Sequence, residues 1–376
     1  MEARLADVTL IGTATISGTS SDLSGLSEML NDSIPANRLG GISAIEHVAG
    51  EDYLLQPDRG PLDGAVPFFC RVQKFKIQVR PGEPVPVTAQ ITGTTLLTDE
   101  TGRQLIGAKS AFDTEHPERS LRFDPEGLRV RGSRWFVSDE YGPAVREFGD
   151  SGKLVRRFDV PKRFTIAHPS NEPTEENAKN TSGRQANGGM EGLAISPDGK
   201  KLFAIMQRPL LQDSQSGDDG KRVGRFNRLL EIDIASGATR EFVYPLDKSV
   251  NGVSEILAIN AHEFLVIERD SKGGLEAECK QIIRIDVRGA TDVSRIEALP
   301  VNELSADIHP VRKSLFLDLL DPKFGLAGER FQEKVEGLAF GPNLPDGRRL
   351  LLICVDNDAR ADQPILIQAF AVDAKD

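Results

Sequence analysis

The sequence has 376 residues, of which 39% are hydrophobic and 27% are charged, proportions typical of a folded globular protein. Its formal net charge of -11 argues against nucleic-acid binding, which usually requires a basic face. No apolar run approaches the ~18 residues that a membrane-spanning helix needs, so the sequence predicts no membrane span.

Residues 1–7, at the start of the sequence, lack the basic and apolar regions of a signal peptide. Two explanations stay open at this point: a cytosolic protein, and an exported protein whose signal peptide has been removed. Residues 7–14 follow as a predicted strand. Two later stretches, 21–33 and 300–320, are predicted to hold short helices.

One sequence unit recurs along the chain: a small or acidic residue, Gly-Leu or a near equivalent, a turn, and an apolar strand with a polar end. Its five copies begin at Gly41-Ile42-Ser43, Glu126-Gly127-Leu128, Glu191-Gly192-Leu193, Glu255-Ile256-Leu257 and Glu336-Gly337-Leu338. Successive copies lie 64 to 86 residues apart, enough for four strands and their loops. Four antiparallel strands repeated around an axis form a β-propeller.

The last unit shows only three strands, the third over residues 364–370. The N-terminal segment, residues 1–20, would complete this blade and hide two exposed sheet edges. We therefore predict an all-β fold, a single propeller domain over residues 1–376, closed in this way and monomeric. Five four-stranded repeats are visible, and a sixth could lie within 98–122 or 290–330. A β-sandwich with coincidental triplets is the alternative.

The first strand of each propeller blade lines the central channel, so a residue at a fixed place in the repeat is presented there several times. Glutamates hold this place in four units, namely Glu126, Glu191, Glu255 and Glu336. More acidic residues follow the second strands, namely Asp58, Asp139, Glu140, Glu268, Asp356 and Asp358.

Carboxylates gathered in this way cannot all stay ionised and unpaired, because like charges raise one another's pKa. They must take up protons, pair with Arg59 and Arg269, or bind a cation. Calcium suits such a site best, because it takes ~6–8 oxygen ligands and tolerates irregular geometry. The alternative is that each glutamate only bonds backbone amides of the adjacent blade.

Zinc is not expected, because Cys70, Cys279 and Cys354 form no CxxC pair and no histidine cluster accompanies them. The odd number of cysteines allows at most one disulfide. The sequence also lacks a GxSxG nucleophile elbow and a glycine-rich phosphate loop with lysine, which excludes two common hydrolase classes.

Four segments together resemble the phytase-like (esterase-like activity of phytase) domain family: residues 123–128, 138–143, 189–194 and 355–358. The resemblance runs from about residue 38 to the C-terminus. It implies an exported, periplasmic or extracellular propeller, distantly similar to phytases whose channel carboxylates hold calcium ions that bind substrate phosphate. The positions that match the family motifs are Glu126, Asp139, Glu140, Glu191, Glu336 and Asp356.

We therefore predict a calcium-dependent hydrolase of phosphoesters or related esters, acting on a small anionic or ester substrate. The predicted metal ligands are Glu126, Glu191, Glu255, Glu336 and Asp356. The predicted catalytic residues are Asp139 or Glu140, as ligand or general base, and Arg59 or Arg269, which orient the anion. A non-catalytic, calcium-stabilised propeller that binds a small ligand or a protein partner, and a lactonase-like propeller, remain as alternatives.

Overall fold

The chain folds into four-stranded antiparallel sheets, five of them within the described residues, 8–217 and 222–373 of a computed structural model. The strands in chain order are β1 (Val8–Ile16), β2 (Ile42–Ala49), β3 (Asp52–Pro57), β4 (Arg71–Val79), β5 (Val87–Leu96), β6 (Pro125–Arg131), β7 (Arg134–Asp139), β8 (Ala144–Gly149), β9 (Leu154–Phe158), β10 (Met190–Ile195), β11 (Lys201–Met206), β12 (Gln215–Ser216), β13 (Arg222–Val223), β14 (Phe226–Asp233), β15 (Thr239–Pro245), β16 (Gly252–Ala258), β17 (Glu263–Arg269), β18 (Lys280–Asp286), β19 (Arg312–Asp318), β20 (Val335–Phe340), β21 (Arg349–Val355) and β22 (Ile365–Val372).

Helical structure is sparse. The two α-helical segments are α1 (Pro61–Gly64) and α2 (Pro173–Lys179), and short 3-10 turns cover Lys109–Ala111, Pro117–Arg119, Lys162–Phe164, Leu211–Asp213, Gly274–Glu276 and Pro322–Phe324. The chain is therefore all-β, as the sequence predicts.

The sheets are the five blades of a propeller. Blade 1 contains β2 to β5, blade 2 β6 to β9, blade 3 β10, β11, β14 and β15, blade 4 β16 to β19, and blade 5 β20, β21, β22 and β1. The first strands contact one another in a closed ring, from β2 through β6, β10, β16 and β20 back to β2. The ring leaves no place for a sixth blade among the described residues.

The N-terminal strand closes blade 5 as predicted. β1 pairs antiparallel with β22, in a register that runs from Val8 opposite Val372 to Ile16 opposite Ile365. The first residue of the predicted strand, Asp7, lies outside the described residues.

The two predicted helices are wrong. Residues 21–33 form no helix because Leu23 and Met29 stay exposed, without a core to cover, while the Arg71 guanidinium holds the buried Asp22 carboxylate. Within 300–320 the regular element is β19, and Pro310 just before it cannot donate a helical hydrogen bond.

Each pair of neighbouring blades encloses one hydrophobic cluster. Ile45 of blade 1 meets Ile367 of blade 5 in one of them, and Leu193 of blade 3 meets Phe136 of blade 2 in another. Strands in the middle of a blade are covered on both faces, which explains why Leu202–Met206 reads as a continuous apolar run. This packing fixes the first strands around the axis.

Candidate functional site

A β-bulge interrupts the pairing of the first two strands in every blade, at the same place in the repeat. A bulge redirects the side chain that it contains. The residues at this place are Ser43, Glu126, Glu191, Ser254 and Glu336, one from each blade. All five line one central pocket. The repeat therefore presents three glutamates and two serines around the axis.

The glycine of the repeat has a separate role, which is close contact between blades. A Cβ atom at Gly127 would lie 2.5 Å from the backbone nitrogen of Leu193 in the next blade, and one at Gly192 would lie 2.6 Å from that of Ile256. Real Cβ atoms do not approach backbone so closely. The Glu-Gly pair thus combines a pocket residue with a packing residue.

The central pocket has a volume of about 130 Å³ and a strong excess of carboxylates. Its acidic residues are Asp58, Glu126, Glu140, Glu191, Asp270, Glu333 and Glu336. Its cationic residues are Arg59, Arg208, Arg269 and Lys334. The negative charges outnumber the positive ones, so the pocket attracts a cation.

Arg59 follows β3 and binds carboxylates on two sides. Its guanidinium contacts Asp124 and lies 2.7 Å from Glu140, while its Nε donates to Asp63 at 2.9 Å. Burial disfavours the ionised Glu140 side chain, but Arg59 and the Gly189 amide hold its pKa below the ordinary value. Glu140 is therefore a buried carboxylate that stays charged.

Arg269, at the end of β17, holds Glu336 from the opposite side of the pocket. Its Nη2 donates to Glu336 at 2.8 Å, and its Nε donates to the Ser254 hydroxyl at 2.7 Å. The second oxygen of Glu336 accepts from Ser43 at 3.1 Å. This chain of contacts joins three of the five bulge positions, from blades 1, 4 and 5.

Glu126 and Glu191 are the carboxylates with the least compensation. Burial, reinforced by the neighbouring Glu191 carboxylate, raises the pKa of Glu126 well above its ordinary value. Burial raises the pKa of Glu191 as well, together with Glu140 and Glu336. Glu191 accepts one hydrogen bond from Gln207 at 2.8 Å. Its other oxygen, Oε2, is buried and has no partner in the described part of the chain.

A further acidic group surrounds Lys334 at the edge of the pocket. Its ammonium lies 3.6 Å from Asp356 and contacts Asp358. Neither oxygen of Asp356 accepts a hydrogen bond from the described residues, although both are buried. Burial raises the pKa of Asp58 to about 7, against the opposing effect of Lys334 and Arg59. Burial likewise raises the pKa of Asp356 well above its ordinary value.

The structure thus brings most of the sequence-predicted residues to one place. Arg59, Glu126, Glu140, Glu191, Arg269 and Glu336 line the pocket, and Asp356 lies beside it. Glu126 and Glu140, with Asp124, each offer one oxygen within 4.8 Å of the others, a spacing that could hold a metal ion.

Three predicted positions point elsewhere. Asp139 forms an ion pair with Arg146 at 2.6 Å and borders a different cavity, because adjacent residues of a strand face opposite sides. Glu255 stands at the position of its repeat that Gly192 occupies in blade 3. Its carboxylate lies 3.0 Å from Arg129, away from the pocket. Glu268 accepts from Tyr244 of blade 3 and from Asn251, just before β16.

Several pocket residues were missed by sequence reasoning. Asp124, which contacts Arg59 beside the pocket, lies two residues before Glu126, a spacing that places both on one side of a strand and could have revealed it. Ser43 and Ser254 carry no charge and gave no signal. Lys334, Gln207 and Asn187 come from loops or strand ends, whose convergence depends on the folded ring.

The pocket residues fit a bound cation. Buried carboxylate oxygens without hydrogen-bond donors cost free energy, and three of those among the described residues lie in or beside the pocket, one on Glu191 and two on Asp356. Hard divalent cations are bound by such oxygens in irregular sets, whereas zinc prefers histidine and cysteine, which the pocket lacks. The donors present therefore suit a calcium-like ion.

A family model described as phytase-like, with esterase-like activity of phytase, matches residues 37–359. The chain belongs to this phytase-like family. The family resemblance read from the motifs is thereby confirmed. A hydrolase-type activity is what this family suggests.

This phytase-like chain is also 29% identical over 288 residues to a protein of Arthroderma benhamiae described as an uncharacterized secreted protein. The match covers 59% of the chain and 55% of that relative, so the chain spans about half the length of the curated relative it matches.

Among solved structures, glutaminyl cyclase from Myxococcus xanthus is 10% identical with a TM-score of 0.38, covering 97% of each chain. The tail fibre of Staphylococcus aureus phage P68 is 9% identical with a TM-score of 0.41, covering 98% of this chain and 53% of that one. Likeness at this level carries no argument about activity. In the phytase-like chain itself, no helix of the described residues has the length and apolar character needed to cross a membrane.

Proposed function

We propose that the central pocket is the active site of a calcium-dependent hydrolase that acts on phosphoesters or related esters. One observation carries the proposal. A buried carboxylate oxygen of Glu191 without a donor occurs in the same pocket as Arg208, which has no carboxylate partner among the described residues, and two more such oxygens, on Asp356, lie beside that pocket. Unsatisfied negative and positive groups side by side suit a cation and an anion bound together.

The carboxylates would divide into two groups. Glu126, Glu191, Glu336 and Asp356 would hold the cation, because three of them surround the axis and the fourth adjoins Glu336. When bound there, Ca²⁺ would offset the negative charge of the substrate and polarise the bond to be broken. Glu255 and Asp139 are left out of this set because their side chains face Arg129 and Arg146.

The remaining charged side chains would bind and orient the substrate. Arg208 lines the pocket and, among the described residues, donates to the carbonyl of Val250 alone, at 3.3 Å, which leaves its other N–H groups for an anion. Burial, together with the nearby Arg269, lowers the pKa of Arg208, which supports the placement of a negatively charged substrate group beside it. Arg269 is committed to Glu336 and would act mainly by holding that ligand in place.

Glu140 is the candidate general base. Arg59 and the Gly189 amide keep it ionised, and it lines the pocket beside Glu126, so its free lone pairs can accept a proton from an attacking water. Arg59 would therefore be a positioning residue for Glu140 as well as a charge beside the substrate.

The size of the pocket limits what it can enclose. A volume of about 130 Å³ lies below the ~300–1,000 Å³ of pockets that enclose a whole drug-sized ligand. We infer that only the reacting phosphate or ester group enters, and that the rest of the substrate stays at the mouth. Since a relative is described as secreted, we also propose that the protein works outside the cytoplasm.

The decisive experiment measures metal content and turnover together. Purified protein is analysed for bound elements, then assayed against p-nitrophenyl phosphate, phytate and p-nitrophenyl acetate before and after chelation. We expect turnover to be lost on chelation and restored by added calcium. Glu191→Gln should show no turnover under either condition. Glu147→Gln, on the outer part of blade 2 beside Arg134, is the matched control and should keep full activity.

Two results would decide against the proposal of a calcium-dependent hydrolase. Turnover that survives complete removal of metal contradicts the cation-dependent mechanism. Loss of thermal stability on chelation without turnover of any of the three substrates favours the non-catalytic, calcium-stabilised propeller.

A further inference from the structure

A second and larger cavity lies on the outer side of the mouth of blade 2. Its volume is about 520 Å³, within the range of pockets that enclose small organic ligands. Tyr141 links the two sites: it lines the second cavity, and its ring centre lies 4.5 Å from the Arg122 guanidinium and 5.8 Å from that of Arg59, which lines the central pocket. The two cavities adjoin but have different linings.

Arg122 is the unusual side chain of this cavity. Only 7% of its surface is exposed, and its guanidinium lies 4.3 Å from the ring centre of Phe112 in addition to its contact with Tyr141. Its Nη1 donates to the carbonyl of Ser170 at 3.1 Å. No carboxylate of the described residues lies within ion-pair distance of it. A buried guanidinium fixed by aromatic contacts thus remains without a counter-ion.

The neighbouring charges do not compensate Arg122. Asp99 is bound to Arg103 at 2.7 Å, and Asp139 is bound to Arg146 at 2.6 Å. Arg156 donates to the carbonyl of Ile234 and has no carboxylate partner among the described residues. Glu100, Glu118 and Arg157 also line the cavity, so five arginines stand beside four carboxylates, a small cationic excess in a chain whose formal net charge is -11. Maintaining an uncompensated buried cation costs free energy unless a ligand offsets it.

Apolar groups make up the rest of the wall. Leu105, Phe112, Pro143 and Ile166 line the cavity beside the arginines. A planar guanidinium presents parallel N–H groups that match a carboxylate or a phosphate. We propose that this cavity binds an organic oxyanion, a carboxylate or phosphate carried on an apolar body, with Arg122 contacting the oxyanion.

The proposal does not depend on catalysis in the central pocket. Calorimetric titrations use full-length protein that has been stripped of metal by dialysis against a chelator, followed by removal of the chelator. The probes are phenyl phosphate, benzoate and inorganic phosphate. We expect saturable binding of one phenyl phosphate or benzoate per chain, and weaker binding of inorganic phosphate, because it has no apolar body to bury.

Variants assign the binding to the cavity. Arg122→Gln should weaken binding by about tenfold or more, because it removes a charge-assisted contact. Arg122→Lys keeps the charge but loses the planar fork, and an intermediate loss is expected. Arg134→Gln, which removes an exposed charge beside Glu147, should bind like the native chain. Thermal melts show whether each variant is folded. If Arg122→Gln does not fold, the binding test relies on Arg122→Lys.

The proposal is overturned if the native chain binds none of the probes, if Arg122→Gln and Arg122→Lys bind as tightly as the native chain, or if Arg208→Gln alone abolishes binding. Equal affinity for inorganic phosphate and phenyl phosphate would contradict the apolar part of the ligand.

Discussion

Arg129 of blade 2 and Glu255 of blade 4 form a buried ion pair across the channel, although blade 3 lies between their blades: Arg129 Nη2 is 3.0 Å from the Glu255 carboxylate. The same guanidinium donates to the carbonyls of Leu128 at 2.6 Å and Ile256 at 2.8 Å. Glu255 accepts from the backbone amide of Leu193 in blade 3 at 3.1 Å. These contacts tie three blades together below the central pocket.

Replacing Arg129 should therefore destabilise the propeller strongly. Arg129→Met leaves Glu255 buried without its counter-ion, and we expect the free energy of unfolding to fall by about 3–5 kcal/mol in urea denaturation. The double variant Arg129→Met, Glu255→Gln should recover part of this loss, because it removes the second charge. An unchanged unfolding midpoint for Arg129→Met would show that the pair contributes nothing.

Replacing Glu126 should have opposite effects with and without calcium. Glu126→Gln removes like-charge repulsion with Glu191, so the metal-free protein should gain about 1 kcal/mol of stability at neutral pH. The same change removes a proposed ligand, so the rise in melting temperature on adding calcium should shrink. Differential scanning calorimetry with chelator and with calcium measures both. Glu147→Gln is again the control, and a full calcium response in Glu126→Gln would exclude Glu126 as a ligand.

The metal-free protein should lose stability as the pH rises. The pKa of Asp58 is 3.8 as an ordinary carboxyl and about 7 in the fold, so its stabilising contribution is complete below the lower value and disappears as the pH passes the upper one. Urea denaturation in chelator should show a falling free energy of unfolding from about pH 4 to about pH 7.

Two controls make this pH test specific. Asp58→Asn should have a flatter profile, and calcium should flatten the native profile, because a cation favours the ionised carboxylates. A native profile that rises over this range in chelator would mean that the pocket carboxylates are compensated in some other way.

The glycine of the repeat should not tolerate a methyl group. Gly192→Ala would place its Cβ 2.6 Å from the backbone nitrogen of Ile256 and 2.7 Å from Glu255 Cα, atoms that cannot move separately from blade 4. We expect a loss of about 1–3 kcal/mol in urea denaturation. Gly93→Ala is the matched control within a strand, since its Cβ would meet only the flexible Lys74 side chain at 3.4 Å. Equal stability of the two variants would refute the close contact between blades.

If the pocket is catalytic, Glu140→Gln should lower kcat by about a hundredfold or more, since the amide cannot accept the proton. Steady-state kinetics with p-nitrophenyl phosphate measure the loss, and metal analysis shows whether calcium is retained. Loss of activity together with loss of the metal would instead make Glu140 a ligand.

Much of the architecture was predictable because the repeating unit can be recognised in the sequence. A triplet that precedes each inner strand revealed the five blades, and the unpaired last unit revealed the role of β1. Glu126, Glu191 and Glu336 were correctly placed together because their triplets align without a gap.

The fourth unit shows where such reasoning fails. Ser254, not Glu255, occupies the bulge of blade 4, and a shift of one residue turns a side chain to another face. A bulge leaves no fixed signature in the sequence. The triplet Glu255-Ile256-Leu257 was therefore aligned with the Glu-Gly-Leu triplets of the other blades, one residue away from its true position. The same alternation separates Glu140 in the pocket from Asp139 beside Arg146. Loop residues such as Asn187 and Lys334 meet only in the folded ring.

The pairing of Val8 with Val372 has a consequence for how the chain reaches its native state. Blade 5 cannot be completed until β22 meets β1, so its final hydrogen bonds close a loop that contains the four other blades. Contacts between such distant segments slow folding. Until they form, β22 and β5 leave apolar side chains uncovered, and the nascent propeller is most prone to aggregation at this one seam.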